Sequence, residues 1–182
     1  MRPHGWQTSW IGALPYALVG VGTALRLAPH PYNFTPIGAM ALFAGAVLPG
    51  AWAFGVPLGA MWLSDVVLGF YPGWIWVYAS FALIVLLGMA LRRGRTPLRV
   101  GTAAVASSLL FFAVTNFGEW LGPLYPHTLA GLRADFVAAI PFFRNTVLSD
   151  LLYAVAFFGA YDGAARLAHL RTARLPSAQR TT

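Results

Sequence analysis

The chain has 182 residues, of which 58% are hydrophobic and 9% charged, whereas an ordinary soluble domain carries roughly a quarter charged residues. Its net charge of +7 comes from twelve basic residues, all of them arginine; they gather at the flanks of apolar segments instead of forming one long basic face, which argues against nucleic acid as a partner. Cysteine is absent, which excludes disulfides and thiolate chemistry.

Six apolar segments follow one another at about 10–28, 36–48, 51–70, 74–91, 100–121 and 145–163. A hydrocarbon core of about 30 Å needs roughly 20 apolar residues per helix. The pattern therefore predicts an all-α polytopic membrane bundle of about six transmembrane helices. The first segment follows "MRPHGWQTSW" and superficially resembles a signal peptide, but "LRLAPHP" offers a poor cleavage site, so it is read as a retained span. The second is short. Its roughly 13 residues would reach only about 20 Å as a helix, so it is expected to be tilted, partly re-entrant or set in thinned bilayer. Pro and Gly in "LPGAW" and "FYPGW" separate the second, third and fourth segments.

The fifth connection, Gly122 to Arg144, is long. In it Leu129, Leu132, Phe136 and Ile140 recur at helical spacing, which predicts a short interfacial helix between the fifth and sixth spans, serving as a lid or an anchor. Arg2, Arg92, Arg93, Arg95, Arg99, Arg166, Arg171, Arg174 and Arg180 fall on one side of the resulting topology, and only Arg133 and Arg144 on the other. By the positive-inside rule both termini are expected in the cytoplasm. Residues 1–168 are read as one transmembrane domain and 169–182 as a basic, disordered cytoplasmic tail.

Charged groups inside spans cost roughly 2.5–3.5 kcal/mol each at the helix centre, so their depth is informative. Arg26, Asp65, Asn116, Glu119, Asn145 and Asp150 all fall in one outer layer. The connections add His30, Asn33, Tyr71, Tyr125, His127, Arg133 and Arg144 at the same level. A proton wire or channel would need polar groups through the full thickness. A one-sided layer instead suggests a pocket open to the outside, or a set of ion pairs that neutralise one another. The candidate ligand-binding set is Arg26, His30, Asn33, Asp65, Asn116, Glu119, Arg144, Asn145 and Asp150. No helix carries His-x-x-x-His or Glu-x-x-His, no Gly-x-Ser-x-Gly elbow occurs and no Walker-type loop is present, so neither metal, cofactor nor catalytic residue is expected from motifs. On the first segment Ala13 and Ala17, then Gly20 and Ala24, are four apart, a spacing that permits close helix contact with a partner.

The blocks "PHPYNFTPIGAMALFAGA", "LSDVVLGFYP", "FFAVTNFGEWLGPLYPHTLAGL" and "AAIPFFRNTVLSDLLY" resemble the signature blocks of a family of small bacterial integral membrane proteins of unknown function, over about Arg26 to Gly159. The layout is also similar to that of the S components of energy-coupling factor vitamin transporters. That likeness implies six helices with cytoplasmic termini in the bacterial inner membrane and an outer pocket closed by the first outer loop, here "PHPYNFTP". It also implies a coupling motif, here Ala13 and Ala17, facing a membrane coupling subunit and its ATPases.

The expected function is a membrane-embedded binding or uptake protein for a small, vitamin-like organic molecule. One alternative is an integral membrane enzyme acting on a lipid or isoprenoid head group, with His30 or His127 and Glu119 as acid and base. The other is a non-catalytic membrane subunit.

Overall fold

A computed structural model describes residues 9–174, with side chains for residues 11–170. Among the described residues the chain is all-helical, with six α-helices and one short 3-10 turn. Helix α1 spans Ser9–Leu27 and gives way to a proline-rich loop. Pro36 leads into α2, Ile37–Val47, and Gly50, at φ +50°, turns the chain toward α3, Trp52–Leu68. Gly69 and Gly73, at φ +91° and +81°, hold the turn before α4, Trp74–Ala90; left-handed backbone of this kind favours glycine. A 3-10 turn at Leu91–Arg93 follows. Helix α5, Pro97–Trp120, starts with Thr96 accepting the Arg99 N–H at 3.3 Å and with Pro in its first turn, the usual preferences at a helix start.

Helix α2 is the axis of the molecule. Every residue from Ile37 to Ala46 is buried, and α1, α3, α4, α5 and α6 all pack on it. Phe43 projects from it into a ring cluster with Phe157, Phe158 and Tyr161. The short second segment is thus a helix enclosed by its neighbours. A segment that is apolar and small all round can be enclosed on every side, and at 11 residues it reaches only about 16 Å. Its closest neighbour is α4: a Cβ on Gly45 would overlap the Val85 carbonyl, and a Cβ on Gly88 would overlap the Leu42 carbonyl.

The expectation of a separate interfacial helix is corrected here. The residues assigned to it belong to α6, which runs without interruption over Leu129–Arg174 and contains Pro141. A proline removes one backbone donor and crowds the preceding turn, but the helix continues through the site. Helix α6 also covers residues 169–174 of the segment read as a disordered tail; the remainder of that tail, like Arg2, lies outside the described residues.

Two helices among the described residues, Trp74–Arg93 and Pro97–Trp120, are long and apolar enough to cross a membrane; α1, α2 and α3 are shorter apolar helices. The two ends of the bundle differ chemically. At one end Arg92 donates to the carbonyls of Gly45 at 2.8 Å and Leu48 at 2.7 Å, satisfying two of the carbonyls left open at the C-terminal end of α2. Nearby, Arg95 pairs with Asp162 at 3.0 Å and lies over the Tyr161 ring. The other end holds a cavity.

Candidate functional site

The cavity lies where α1 and α3 end and α2 and α4 begin, and it is closed by the middle of α5 and α6. Its volume is about 240 Å³. Ile37, Met61, Val77, Phe81 and Phe111 supply an apolar wall, while Asn33, Thr35, Tyr71, Thr146 and Ser149 supply amide and hydroxyl groups. Two charged side chains complete it, Arg26 and Asp150. An apolar enclosure with a few converging polar groups is the usual make-up of a small-molecule site.

Arg26 is already engaged. Its guanidinium donates to Asp65 at 2.5 Å, to the Ser64 hydroxyl and to the Met61 carbonyl at 3.1 Å. The second Asp65 oxygen accepts from the Tyr78 hydroxyl at 2.7 Å. Asp65 is fully buried, so this arrangement meets the requirement that a buried charge be both paired and hydrogen-bonded.

Asp150 has no such counter-ion. Ion pairs among the described residues join Arg26 to Asp65 and Arg95 to Asp162, and neither reaches it. Its Oδ2 accepts from Ser108 at 2.7 Å, and the carboxylate also accepts the Ala39 backbone N–H. Pro36, ahead of α2, provides no side-chain cap. Asp150 thus meets one of the donors that the first turn of α2 leaves open, from a different helix. The contact is close because residue 38 is glycine: a Cβ there would overlap the Asp150 carboxylate.

The profile of a family of unknown function, DUF6580, matches residues 6–173. The chain belongs to that family. No curated protein and no solved structure matches it.

Of the residues singled out from the sequence of this DUF6580 protein, Arg26, Asn33 and Asp150 line the cavity, and Asp65 stands behind Arg26. Asn145 lies beside it and holds the loop after α1. Its Nδ2 donates to the Tyr32 carbonyl at 2.9 Å, and Ser149 Oγ reaches the Asn33 carbonyl at 3.5 Å. That loop turns at Asn33, whose φ of +58° is one that asparagine tolerates better than most residues. His30 is exposed, its Nε2 lying 3.1 Å from the Arg26 carbonyl. His127 faces the Gly122 carbonyl at 3.1 Å. Neither histidine lines the cavity. Arg144 and Glu119 are exposed and stand apart from it. Asn116 borders a separate void of about 90 Å³ and donates to the Phe112 carbonyl at 2.6 Å. Ala13 and Ala17 are exposed on α1. Among the described residues no three histidine or carboxylate side chains converge as a metal site.

Participants missed from the sequence of the DUF6580 chain include Ser108, Tyr78 and Gly38. Ser108 carried a signal, because Ser107 and Ser108 form an adjacent hydroxyl pair within an apolar helix. Tyr78 and Gly38 carried none, since an aromatic near a helix start and a glycine in a small-residue run are ordinary.

Two further groups at this end of the molecule are perturbed. The Tyr71 hydroxyl is pushed up to about 12, chiefly by burial and then by Asp65, with Arg26 opposing; it remains a neutral donor at physiological pH. Asp135 is buried, its Oδ2 has no hydrogen-bond partner among the described residues, and burial followed by the charge of Glu119 raises its carboxyl above the ordinary range.

Proposed function

We propose that the protein is a membrane-embedded binding or uptake protein for a small organic molecule that carries an amine or several N–H donors. The observation that carries this reading is Asp150: a buried carboxylate on a cavity wall with no ion-pair partner among the described residues, surrounded by hydroxyl groups and an apolar face. Arg26 already has its charge paired with Asp65 and donates to Ser64 and a carbonyl as well, so an anionic ligand has less to gain there than a cation has at Asp150. A volume of about 240 Å³ falls below the roughly 300–1,000 Å³ of sites for drug-sized molecules, which favours a ligand of vitamin-fragment size.

The membrane setting rests on the apolar surface and the arginines. Trp62, Leu63, Val66 and Val67 on α3 and Leu148, Leu152 and Val155 on α6 are exposed, and apolar patches on this scale mark contact with lipid or with another protein. In this reading the six helices make the transmembrane bundle, the end bearing Arg92, Arg93, Arg95, Arg99 and Arg166 faces the cytoplasm, and the cavity opens outward. The layout resembles an energy-coupling factor S component. A membrane coupling subunit and its ATPases would then be the partners, with exposed Ala13 and Ala17 as the contact. The enzyme alternative draws no support from His30 and His127, which lie away from the cavity.

A thermal-stability screen of purified protein against vitamins and amine-bearing metabolites tests the reading. A ligand that binds only the native state raises Tm by mass action, by an amount corresponding to about 2.7 kcal/mol at a hundredfold excess over Kd. The expected result is a saturable rise lost in Asp150→Asn. A rise that survives that substitution unchanged would remove Asp150 from the site, and no rise with any cationic compound would overturn the ligand class.

A further inference from the structure

A second recess, of about 330 Å³, lies between α5 and α6 near the arginine-rich end. Leu151, Ala154, Val155 and Phe158 of α6 form its apolar floor, and Arg95 and Arg166 stand at its mouth with Asp162. Its hollowness is encoded by glycine. At Gly101, Gly159 and Gly163 an added Cβ would meet no atom within 4 Å, so these glycines are not buried in helix packing; they leave the trough open. The charge at the mouth is not balanced internally. Arg95 shares Asp162 at 3.0 Å, whereas Arg166 is exposed and has neither an ion pair nor a hydrogen bond among the described residues. Two arginines therefore face one carboxylate.

We propose that this recess is a binding site for an anionic phospholipid, an inference that rests on the membrane reading above. The phosphodiester would sit between Arg166 and Arg95, and one acyl chain would run along the trough toward Leu151. The dimensions fit. From Asp162 back to Leu151 the helix rises about 16 Å at about 1.5 Å per residue, close to the depth of one leaflet of a hydrocarbon core about 30 Å thick. Guanidinium groups suit the head group because they donate in pairs to phosphate oxygens. Basic pockets between helices on the cytoplasmic side are where such lipids are expected to be held. A zwitterionic lipid would bring a further cation against Arg95 and Arg166.

The test is the Tm of delipidated protein in detergent, titrated with phosphatidylglycerol or phosphatidylcholine of matched chains. The expected result is a saturable rise with phosphatidylglycerol only. Arg166→Gln should cut that rise by at least half, and Gly159→Leu, which fills the trough at a position with no close neighbours, should abolish it while leaving the lipid-free protein folded. Equal rises with the two lipids, or rises unchanged in both variants, would overturn the site. Inorganic phosphate or water-soluble glycerophosphoglycerol producing the full rise would also overturn it, because the acyl trough would then be unused. Alkaline-washed membranes separate this from the reading beneath it. Protein retained in them yet indifferent to phosphatidylglycerol defeats the lipid site alone, whereas recovery in the soluble fraction defeats the membrane reading and the site together.

Discussion

The carboxylate of Asp150 on α6 occupies the space that a Cβ on Gly38 of α2 would need. One glycine therefore allows a cavity carboxylate to reach both the Ala39 N–H and the Ser108 hydroxyl. Gly38→Ala should push the carboxylate away and overpack the contact, at about 1–3 kcal/mol. Removing the obstacle should restore room, so Gly38→Ala should cost much less in an Asp150→Ala background. Denaturation of the four proteins gives the coupling; additive effects would mean that the two residues do not share this space.

At the other end of α2, Gly45 and Gly88 let the backbones of α2 and α4 meet. Two effects oppose each other when either becomes alanine. Helix propensity favours alanine by about 1 kcal/mol, while the new methyl would fall on a main-chain carbonyl, Val85 or Leu42, which cannot rotate aside as a side chain would. Overpacking is expected to win, with Gly45→Ala and Gly88→Ala each destabilising by about 1–3 kcal/mol net. Gly101→Ala, with open space at its Cβ, isolates propensity and should be neutral or slightly stabilising. Thermal melts of the three variants decide the point, and Gly45→Ala behaving like Gly101→Ala would refute the close crossing.

These glycines mark where the sequence was legible and where it was not. Periodicity and length found α1, α3, α4 and α5, because each is an apolar run bounded by proline, glycine or arginine. The same logic also found α2 as a short helix but not its central place, since a hydropathy run does not distinguish a helix facing lipid from one enclosed by its neighbours. It erred on α6, because Pro141 and the polar Arg144 and Asn145 read as a boundary although the helix runs through them. Arg26 and Asp150 were found because charge in an apolar segment stands out, and Asn33 because it sits in the polar loop that joins two such segments. Ser108 and Tyr78 were missed because their roles depend on partners 42 and 13 residues away.

Arg26 and Asp65 form a buried pair, their side chains 11% and 0% exposed. Breaking such a pair on one side leaves an uncompensated charge, at about 3–5 kcal/mol, while replacing both charges with apolar groups of similar size is often neutral. Arg26→Met and Asp65→Leu should therefore each be strongly destabilising, and the double variant should be more stable than either. Tyr78→Phe, which removes only the 2.7 Å bond to Asp65, should cost about 1–3 kcal/mol. Chemical denaturation of the set measures this, and a double variant no better than the singles would show that packing, not charge, dominates the site.

Asp135 gives the protein a predictable response to pH. Burial and then Glu119 raise its carboxyl in the folded state, so the native protein holds this proton at a pH where the unfolded chain has released it. The stabilising contribution of the protonated form is present below the unfolded pKa and is lost as pH rises through the folded one. Acidification from neutrality toward the ordinary carboxylate range should therefore increase stability through this group. Asp135→Asn keeps the shape, removes the buried charge and should raise Tm at neutral pH while flattening the rise seen on acidification. Glu119→Gln should flatten it in part, since it is the smaller of the two causes. Melting curves from about pH 8 down to about pH 4 test this directly. Curves for wild type and Asp135→Asn that stay parallel across that range would mean that Asp135 does not titrate there, and that its unpartnered oxygen is not what couples folding to protons.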